Sequence, residues 1–310
     1  MRSLLVTLLR GVVTLLLLLY VASRVDLAQT LTDFRRAAWW GPAGAGLLML
    51  VNIGLQWLRW HLLVRAGDLE LPPSRSLIVL LAGYPLGLIT PGRIGELGRG
   101  AVVSGTHDSV SVAGLTLLDH AYGLVGAVGV AWAGMIISGY GTAWQLAVLF
   151  FFYVAIVYVA LHPNRLVRWL KTLAPYLPAF IRERTEESAG RFAQGWRLAG
   201  RRVALAAIGV SILQITTVVV QFTICYLAVG SFSSLIKVVG AWAVVLGAKH
   251  FLPVTVGDVG VREGLAVAIF AHRALSTEAA LVAALMIYVL NVLIPAGAGA
   301  LVLARWRQDR

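Results

Sequence analysis

Charged residues are scarce in this sequence. Of its 310 residues, 13% are charged and 59% are hydrophobic, and the mean hydropathy is +0.83. Soluble domains carry about 25% charged residues. A soluble core of this length cannot absorb so many apolar side chains, so the composition excludes a soluble domain and predicts an integral membrane protein.

Cysteine is nearly absent, and the common motifs of catalysis and cofactor binding are missing. The single cysteine, Cys225, lies in an apolar run, which excludes a disulfide framework and a cysteine-based metal site. The sequence has no Walker-type loop, dinucleotide-binding glycine fingerprint, zinc motif or serine nucleophile elbow. We therefore expect no cofactor and no metal, and we do not expect an enzyme.

Acidic residues are few, and the net charge is +12. The basic residues flank apolar runs, which is typical of cytoplasmic loops beside anionic lipid and argues against a nucleic-acid partner. The stretch 162–202 is rich in arginine, and the connection SGYGTA (138–143) carries no charge. The positive-inside rule places 162–202 and both termini in the cytoplasm, and it places 138–143 outside. Arg24, Arg35 and Arg36, in a loop predicted outside, run against that rule.

Apolar runs long enough to cross a bilayer recur along the chain, and the first reads as an uncleaved helix. Six full spans are predicted at 4–23, 42–64, 112–137, 144–161, 203–229 and 279–303. Two further runs, 77–97 and 239–270, are apolar but interrupted. We expect an all-α polytopic protein with a first membrane half (1–161, broken segment 77–99), a basic cytoplasmic loop (162–202) and a second membrane half (203–310, broken segment 239–270).

The two interrupted runs resemble each other. PGRIGELG (91–98) aligns without gaps on PVTVGDVG (253–260), and an arginine follows each stretch. The count of spans makes the two runs enter the membrane from opposite faces, which is typical of an inverted repeat with re-entrant helices. Proline and glycine break helices there. The expected backbone breaks are at Pro91, Gly92, Gly95, Pro253, Gly257 and Gly260.

Each interrupted run carries charged residues into an apolar region. A charge near the bilayer centre costs about 2.5–3.5 kcal/mol, so these side chains must face each other or a polar cavity. Arginines beside helix N-termini bind phosphate. We expect Arg93, Arg99 and Arg262 to bind a headgroup phosphate. The acidic residues expected to orient these arginines or to couple protons are Glu96, Asp119, Asp258 and Glu263.

Simpler roles stay open for the same residues. The arginines and carboxylates also fit a buried ion-pair network that locks the repeats together. Lys249 and His250 are either a gate or an interfacial basic pair, and Asp119 with His120 fits a hydrogen bond within the bundle. The polar stripe of Asn52, Gln56 and Arg59 either lines the cavity or joins helices, as do Gln214 and Gln221.

Two stretches carry a family resemblance. TPGRIGELGRG (90–100) and LPVTVGDVGVREG (252–264) resemble the signature segments of the lysylphosphatidylglycerol synthase transmembrane region, also called the flippase-like membrane family. Thr255 stands where a serine is common in this family, and Asp258 where a glycine is common. The resemblance implies a multi-pass protein of the bacterial or archaeal cytoplasmic (inner) membrane that handles lipid headgroups. We do not expect synthase activity from these 310 residues.

The leading functional hypothesis is a flippase-like transporter of an anionic phospholipid or a polyprenyl-phosphate-type lipid. Access to the phosphate would alternate between the two faces as the repeats move. Two alternatives remain open: a membrane-embedded transferase acting on lipid phosphates with Glu96 or Glu263 as base, and a non-transporting scaffold or regulator of envelope enzymes.

Overall fold

The computed structural model describes residues 2–67, 69–90, 93–100, 109–162, 165, 172, 200–230, 234–252 and 259–308. None of these residues lies in a strand. Helices are expected because a membrane segment must satisfy its backbone hydrogen bonds internally. In chain order the elements are α1 (Arg2–Arg24), α2 (Leu27–Arg36), α3 (Trp40–Ala66), α4 (Pro73–Leu88), a 3₁₀ helix (Ile94–Arg99), α5 (Ser109–Ile137), α6 (Ala143–Leu161), α7 (Arg201–Ala228), α8 (Leu235–Lys249), α9 (Val261–His272), α10 (Thr277–Tyr288), a π-helical turn (Val289–Leu293) and α11 (Ile294–Gln308).

Among the residues that the structure describes, five helical stretches are long and apolar enough to cross a membrane. They are α3, α5, α6, α7 and the continuous stretch Thr277–Arg305, which joins α10 to α11 through the π-helical turn. Their ends agree with five of the six predicted spans to within two residues. The remaining predicted span, 4–23, corresponds to α1, which is followed by α2 across an 82° bend. The prediction of an all-α polytopic membrane protein is confirmed.

Helices α3 and α7 form the most extensive helix pair in the described part of the chain. A Cβ at Gly41 would overlap the side chain of Ala228, and Gln221 Nε2 donates to the Ala45 carbonyl at 2.8 Å. Small residues and interhelical hydrogen bonds hold membrane helices together because lipid supplies little hydrophobic driving force. Each of the two helices precedes one interrupted run, so their pairing brings these runs close together.

Both interrupted runs fold as a helix, a break and a second helix that packs back on the first. In the first run α4 is followed by the 3₁₀ helix, and in the second α8 is followed by α9. Pro91, Gly92, Pro253, Gly257 and Asp258 lie outside the described residues. Their part in the two breaks stays a prediction.

The two halves of the chain interlock. Helix α5 of the first half packs against α8, and α4 packs against α11 of the second half. Each broken segment therefore packs against a helix of the other half. Most of the predicted loop 162–202 lies outside the described residues. The domain boundaries and the inverted orientation of the repeats remain predictions.

Candidate substrate site

Two glycines of α4 let the 3₁₀ helix place its charged side chains in the protein interior. A Cβ at Gly83 would lie 2.5 Å from Arg99 Nε, and one at Gly87 would lie 2.9 Å from Glu96 Cγ. Both charged residues are only 2% exposed. The spacing of Arg93, Glu96 and Arg99 predicts that they share one face of a helix that begins after Pro91. The 3₁₀ form aligns residues three apart even more closely, because its period is three residues.

Glu96 holds two arginines of the same segment. Arg93 Nε lies 2.6 Å from Glu96 Oε1, and Arg99 Nη2 donates to Glu96 Oε2 at 2.5 Å. The three residues occupy successive i, i+3 positions, and Arg93 has left-handed backbone angles where the 3₁₀ helix begins. A carboxylate between two guanidinium groups fixes the direction of both and offsets part of their charge.

Asp119 of α5 links this group to α3. Its Oδ1 accepts a 2.6 Å hydrogen bond from Arg59 Nε, and its Oδ2 accepts one of 3.4 Å from Arg99 Nη1. Arg59 Nη1 also donates to Ser211 Oγ at 3.0 Å and to Gln214 Oε1 at 2.8 Å, both on α7. The resulting charged network joins α3, the 3₁₀ helix, α5 and α7.

Aromatic and imidazole groups complete the surroundings of the first segment. Arg93 lies over the ring of Tyr84 at 5.3 Å and Arg99 over the ring of Trp60 at 5.2 Å, both within the range of cation–π contacts. Tyr84 donates its hydroxyl to Gln56 at 2.9 Å. His120 Nε2 is 3.6 Å from Glu96 Oε2, and the His120 side chain is partly exposed.

The second segment presents its arginine from the first turn of α9. Gly260 has φ 86°, a conformation that favours glycine, and its N–H donates to Glu263 Oε2 at 3.0 Å. Glu263 also pairs with Arg262, whose guanidinium lies 4.9 Å from the centre of the Tyr288 ring. Glu263 thus caps the helix and orients Arg262. The predicted partner Asp258 lies outside the described residues.

Both segments face one partly open cavity of about 530 Å³. Among the predicted phosphate ligands, Arg93, Arg99 and Arg262 all line it, and so do the predicted gate residues Lys249 and His250. With Arg59, the described lining residues include five arginine or lysine side chains and two carboxylates, Glu96 and Asp119. Cations therefore outnumber anions along this wall, which favours an anionic occupant.

Side-chain amides form another part of the cavity wall. Asn52, Gln56, Gln214 and Asn291 line it. Asn52 Nδ2 donates to Asn291 Oδ1 at 3.1 Å, and Asn291 Nδ2 donates to Gln221 Oε1 at 2.9 Å. Asn52 Oδ1 is buried without a hydrogen-bond partner among the described residues. The polar stripe of α3 thus both lines the cavity and joins helices, whereas Gln221 is buried between them.

Among the polar lining residues, sequence reasoning did not identify Tyr84 and Asn291, and it assigned Arg59 only to a polar stripe. Asn291 belongs to the π-helical turn, where the widened helix directs its side chain toward α3 and α7. The sequence did contain a signal for this residue, because Asn291 is polar, lies within an apolar run and stands four positions before Pro295. Within the described ranges, no group of three or more His, Cys, Asp or Glu side chains is arranged to hold a metal ion.

Comparison with known proteins supports the resemblance carried by the two signature stretches. The family model described as the lysylphosphatidylglycerol synthase TM region matches residues 7–299. The match spans nearly the whole sequence, so the chain belongs to this family. A search among curated proteins finds no match. The family places the chain among membrane proteins of lipid or envelope biology.

Proposed function

We propose that this member of the lysylphosphatidylglycerol synthase TM region family moves an anionic lipid, or a lipid-linked phosphate, between the two leaflets of its membrane. The observation that carries the proposal is the single cavity onto which Arg93 and Arg99 open from one broken segment and Arg262 from the other. The headgroup would occupy this cavity while the acyl or prenyl chains stay in lipid.

The arginines are suited to binding a phosphate. A guanidinium group offers several N–H donors in a planar fork, which matches the oxygens of a phosphate. The Nε atoms of Arg99 and Arg262 are buried and have no hydrogen-bond partner among the described residues. The ion pairs therefore do not use every donor of these two guanidinium groups.

The carboxylates explain how such a site could release its ligand. Glu96 and Asp119 already bind Arg99, and Glu263 binds Arg262, so each arginine has an anionic partner when no phosphate is present. Removing one partner of a buried pair leaves an unpaired charge and is costly. The carboxylates lower the cost of an empty cavity, which keeps phosphate binding reversible.

The broken helices supply a means of alternating access. In transporters with inverted repeats, one repeat rocks against the other around a site between the discontinuous helices. Here α4 with its 3₁₀ helix, and α8 with α9, contribute to the same cavity from the two halves of the chain. A rigid-body movement of one segment relative to the other would open the cavity first to one face and then to the other.

Reconstitution into vesicles with fluorescent lipid phosphates in one leaflet tests this function. The wild-type protein should speed exchange between leaflets without covalent change. Arg262→Ala should lower the exchange rate by at least about tenfold, because one lost hydrogen bond to a charged group costs about 1.5–3 kcal/mol. Arg202→Ala, at an exposed position at the start of α7, is the matched control and should transport normally.

Two results would replace this proposal. Formation of a new lipid product in the presence of a donor would favour a transferase, although Glu96 is bound by two arginines and is a poor candidate for a general base. Absence of exchange and of product, together with co-purifying envelope proteins, would favour a scaffold. Normal exchange by Arg262→Ala would remove that residue from the site.

A further inference from the structure

Helix α2 is a short connection between two membrane helices. Two residues separate it from α1 and three separate it from α3. It is bent by 82° from the preceding helix, so it runs nearly across the direction of α1. Because both of its ends are tied to helices that enter the membrane, α2 must lie close to the membrane surface.

One side of α2 is apolar and uncovered. Leu27, Leu31 and Phe34 follow i, i+4, i+7 spacing and are 60%, 51% and 53% exposed. On the other side, Gln29 Nε2 donates to Asp33 Oδ1 at 2.7 Å. The separation of apolar and polar side chains is typical of a helix that lies in the plane of a membrane interface.

Contacts with the rest of the protein fix the rotation of α2. The helix packs on α10 through a side that includes the buried Thr30. Asp26 Oδ1 accepts hydrogen bonds from the N–H groups of Ala28 at 2.8 Å and Gln29 at 3.0 Å, which caps the first turn. Ala38 N–H donates to the carbonyl of Ala228 at 2.8 Å, which ties the link after α2 to the end of α7.

Basic and aromatic residues surround the same segment. Arg24, Arg35 and Arg36 are exposed, and Trp39 is 80% exposed. We propose that α2 is an interfacial helix whose apolar side lies among the acyl chains and whose arginines bind the phosphates of anionic lipids. Tryptophan favours the same interface. This inference is independent of the proposed transport function.

The proposal explains an exception to the positive-inside rule. The loop between the first two spans was predicted to lie outside the cytoplasm, yet it carries three arginines. Contacts with anionic lipid stabilise an arginine near the membrane surface by about 1 kcal/mol, which offsets part of the cost of this exception. Asp26 is engaged in capping and Asp33 with Gln29, which leaves the arginine side chains as the charged groups facing the headgroups.

Spin-label accessibility in nanodiscs tests the position of α2. Single cysteines would be placed at Leu31 and Phe34, and at Gln29 and Asp33 as controls on the polar side, in a Cys225→Ala background. In bilayers containing phosphatidylglycerol, labels at Leu31 and Phe34 should meet oxygen readily and a water-soluble nickel chelate poorly. Labels at Gln29 and Asp33 should show the reverse order.

Two accessibility patterns would overturn the interfacial position. High nickel accessibility at all four sites would mean that α2 lies in water. Low accessibility to both reagents at Leu31 and Phe34 would mean that protein, such as a second copy of the chain, covers this side.

Lipid composition tests the part played by the arginines. Adding phosphatidylglycerol to neutral bilayers should move the label at Leu31 deeper, and the double variant Arg35→Gln/Arg36→Gln should lose this shift. An identical depth in neutral and anionic bilayers for the parent protein would overturn binding of anionic phosphates.

Discussion

Arg59 and Asp119 lie 60 positions apart in the sequence and form the shortest link between α3 and α5 in the charged network. Each also binds a further helix, Arg59 through Ser211 and Gln214 of α7 and Asp119 through Arg99. Two roles are consistent with this geometry. The pair either only holds the helices together, or it also fixes the direction in which Arg99 meets a ligand.

A double-mutant cycle at this pair separates the two roles. Arg59→Met or Asp119→Leu alone should lower stability by about 3–5 kcal/mol, because each removes the closest ionic partner of a buried charge. The double variant Arg59→Met/Asp119→Leu should recover most of this loss. Thermal unfolding in detergent and lipid exchange in vesicles would be measured for all variants. If the pair positions Arg99, exchange stays low in the double variant.

Recovery of both stability and exchange in the double variant would give the opposite answer. The pair would then be structural only, and the interpretation of the network as part of the substrate site would have to be restricted to Arg93, Arg99 and Arg262. Arg202→Ala again serves as the exposed control, since its side chain lies outside the cavity.

Among the elements, the 3₁₀ helix depends on close approach to α4. A Cβ at Gly95 would overlap the carbonyl oxygen of Leu86 and lie 2.6 Å from Thr90 Oγ1, whereas one at Gly98 would meet only Leu86 Cδ1 at 3.4 Å. Gly95 N–H also donates to Thr90 Oγ1 at 2.7 Å. This contact fixes the distance between the segment and α4, and with it the position of Glu96 and Arg99.

Gly95→Ala and Gly98→Ala therefore form a matched pair: both add one methyl group, but only the first meets the backbone of α4. Gly95→Ala should lower stability by about 1–3 kcal/mol, because the added methyl group must displace backbone, and should also slow lipid exchange. Gly98→Ala should change stability by no more than about 0.5 kcal/mol. Thermal unfolding followed by circular dichroism checks both values. Equal effects of the two substitutions would contradict this packing.

Local sequence signals were sufficient to predict the helices, but they were not sufficient to predict every contact between helices. Apolar length predicted α3, α5, α6 and α7 because each must span the same hydrocarbon thickness. The i, i+3 spacing of Arg93, Glu96 and Arg99 indicated a shared face, whatever the helix type. The pairing of Arg59 with Asp119 could not be predicted, since it depends on how α3 packs against α5 and no local period encodes that.

At the scale of the whole molecule, the paired packing of α5 on α8 and of α4 on α11 is the relation expected between two related halves. The orientation of these halves in the membrane is a prediction from charge and span counts in the sequence. An inverted repeat requires the two breaks to open toward opposite faces. This arrangement would let the proposed phosphate site be reached alternately from the two sides.

Cysteine labelling of intact cells and of inside-out membrane vesicles tests that requirement. In a Cys225→Ala background, a cysteine at Arg93 should react with a membrane-impermeant maleimide only from the cytoplasmic side, and one at His272 only from outside. The side chain at Arg93 is about one-third exposed and His272 is exposed, so the reagent can reach both positions. A cysteine at exposed Gly139, in the uncharged connection between α5 and α6, is the control for the predicted outer face. If the cysteines at Arg93 and His272 both react from the same face, the two segments enter the membrane from the same side. That result would rule out a transport cycle based on inverted repeats.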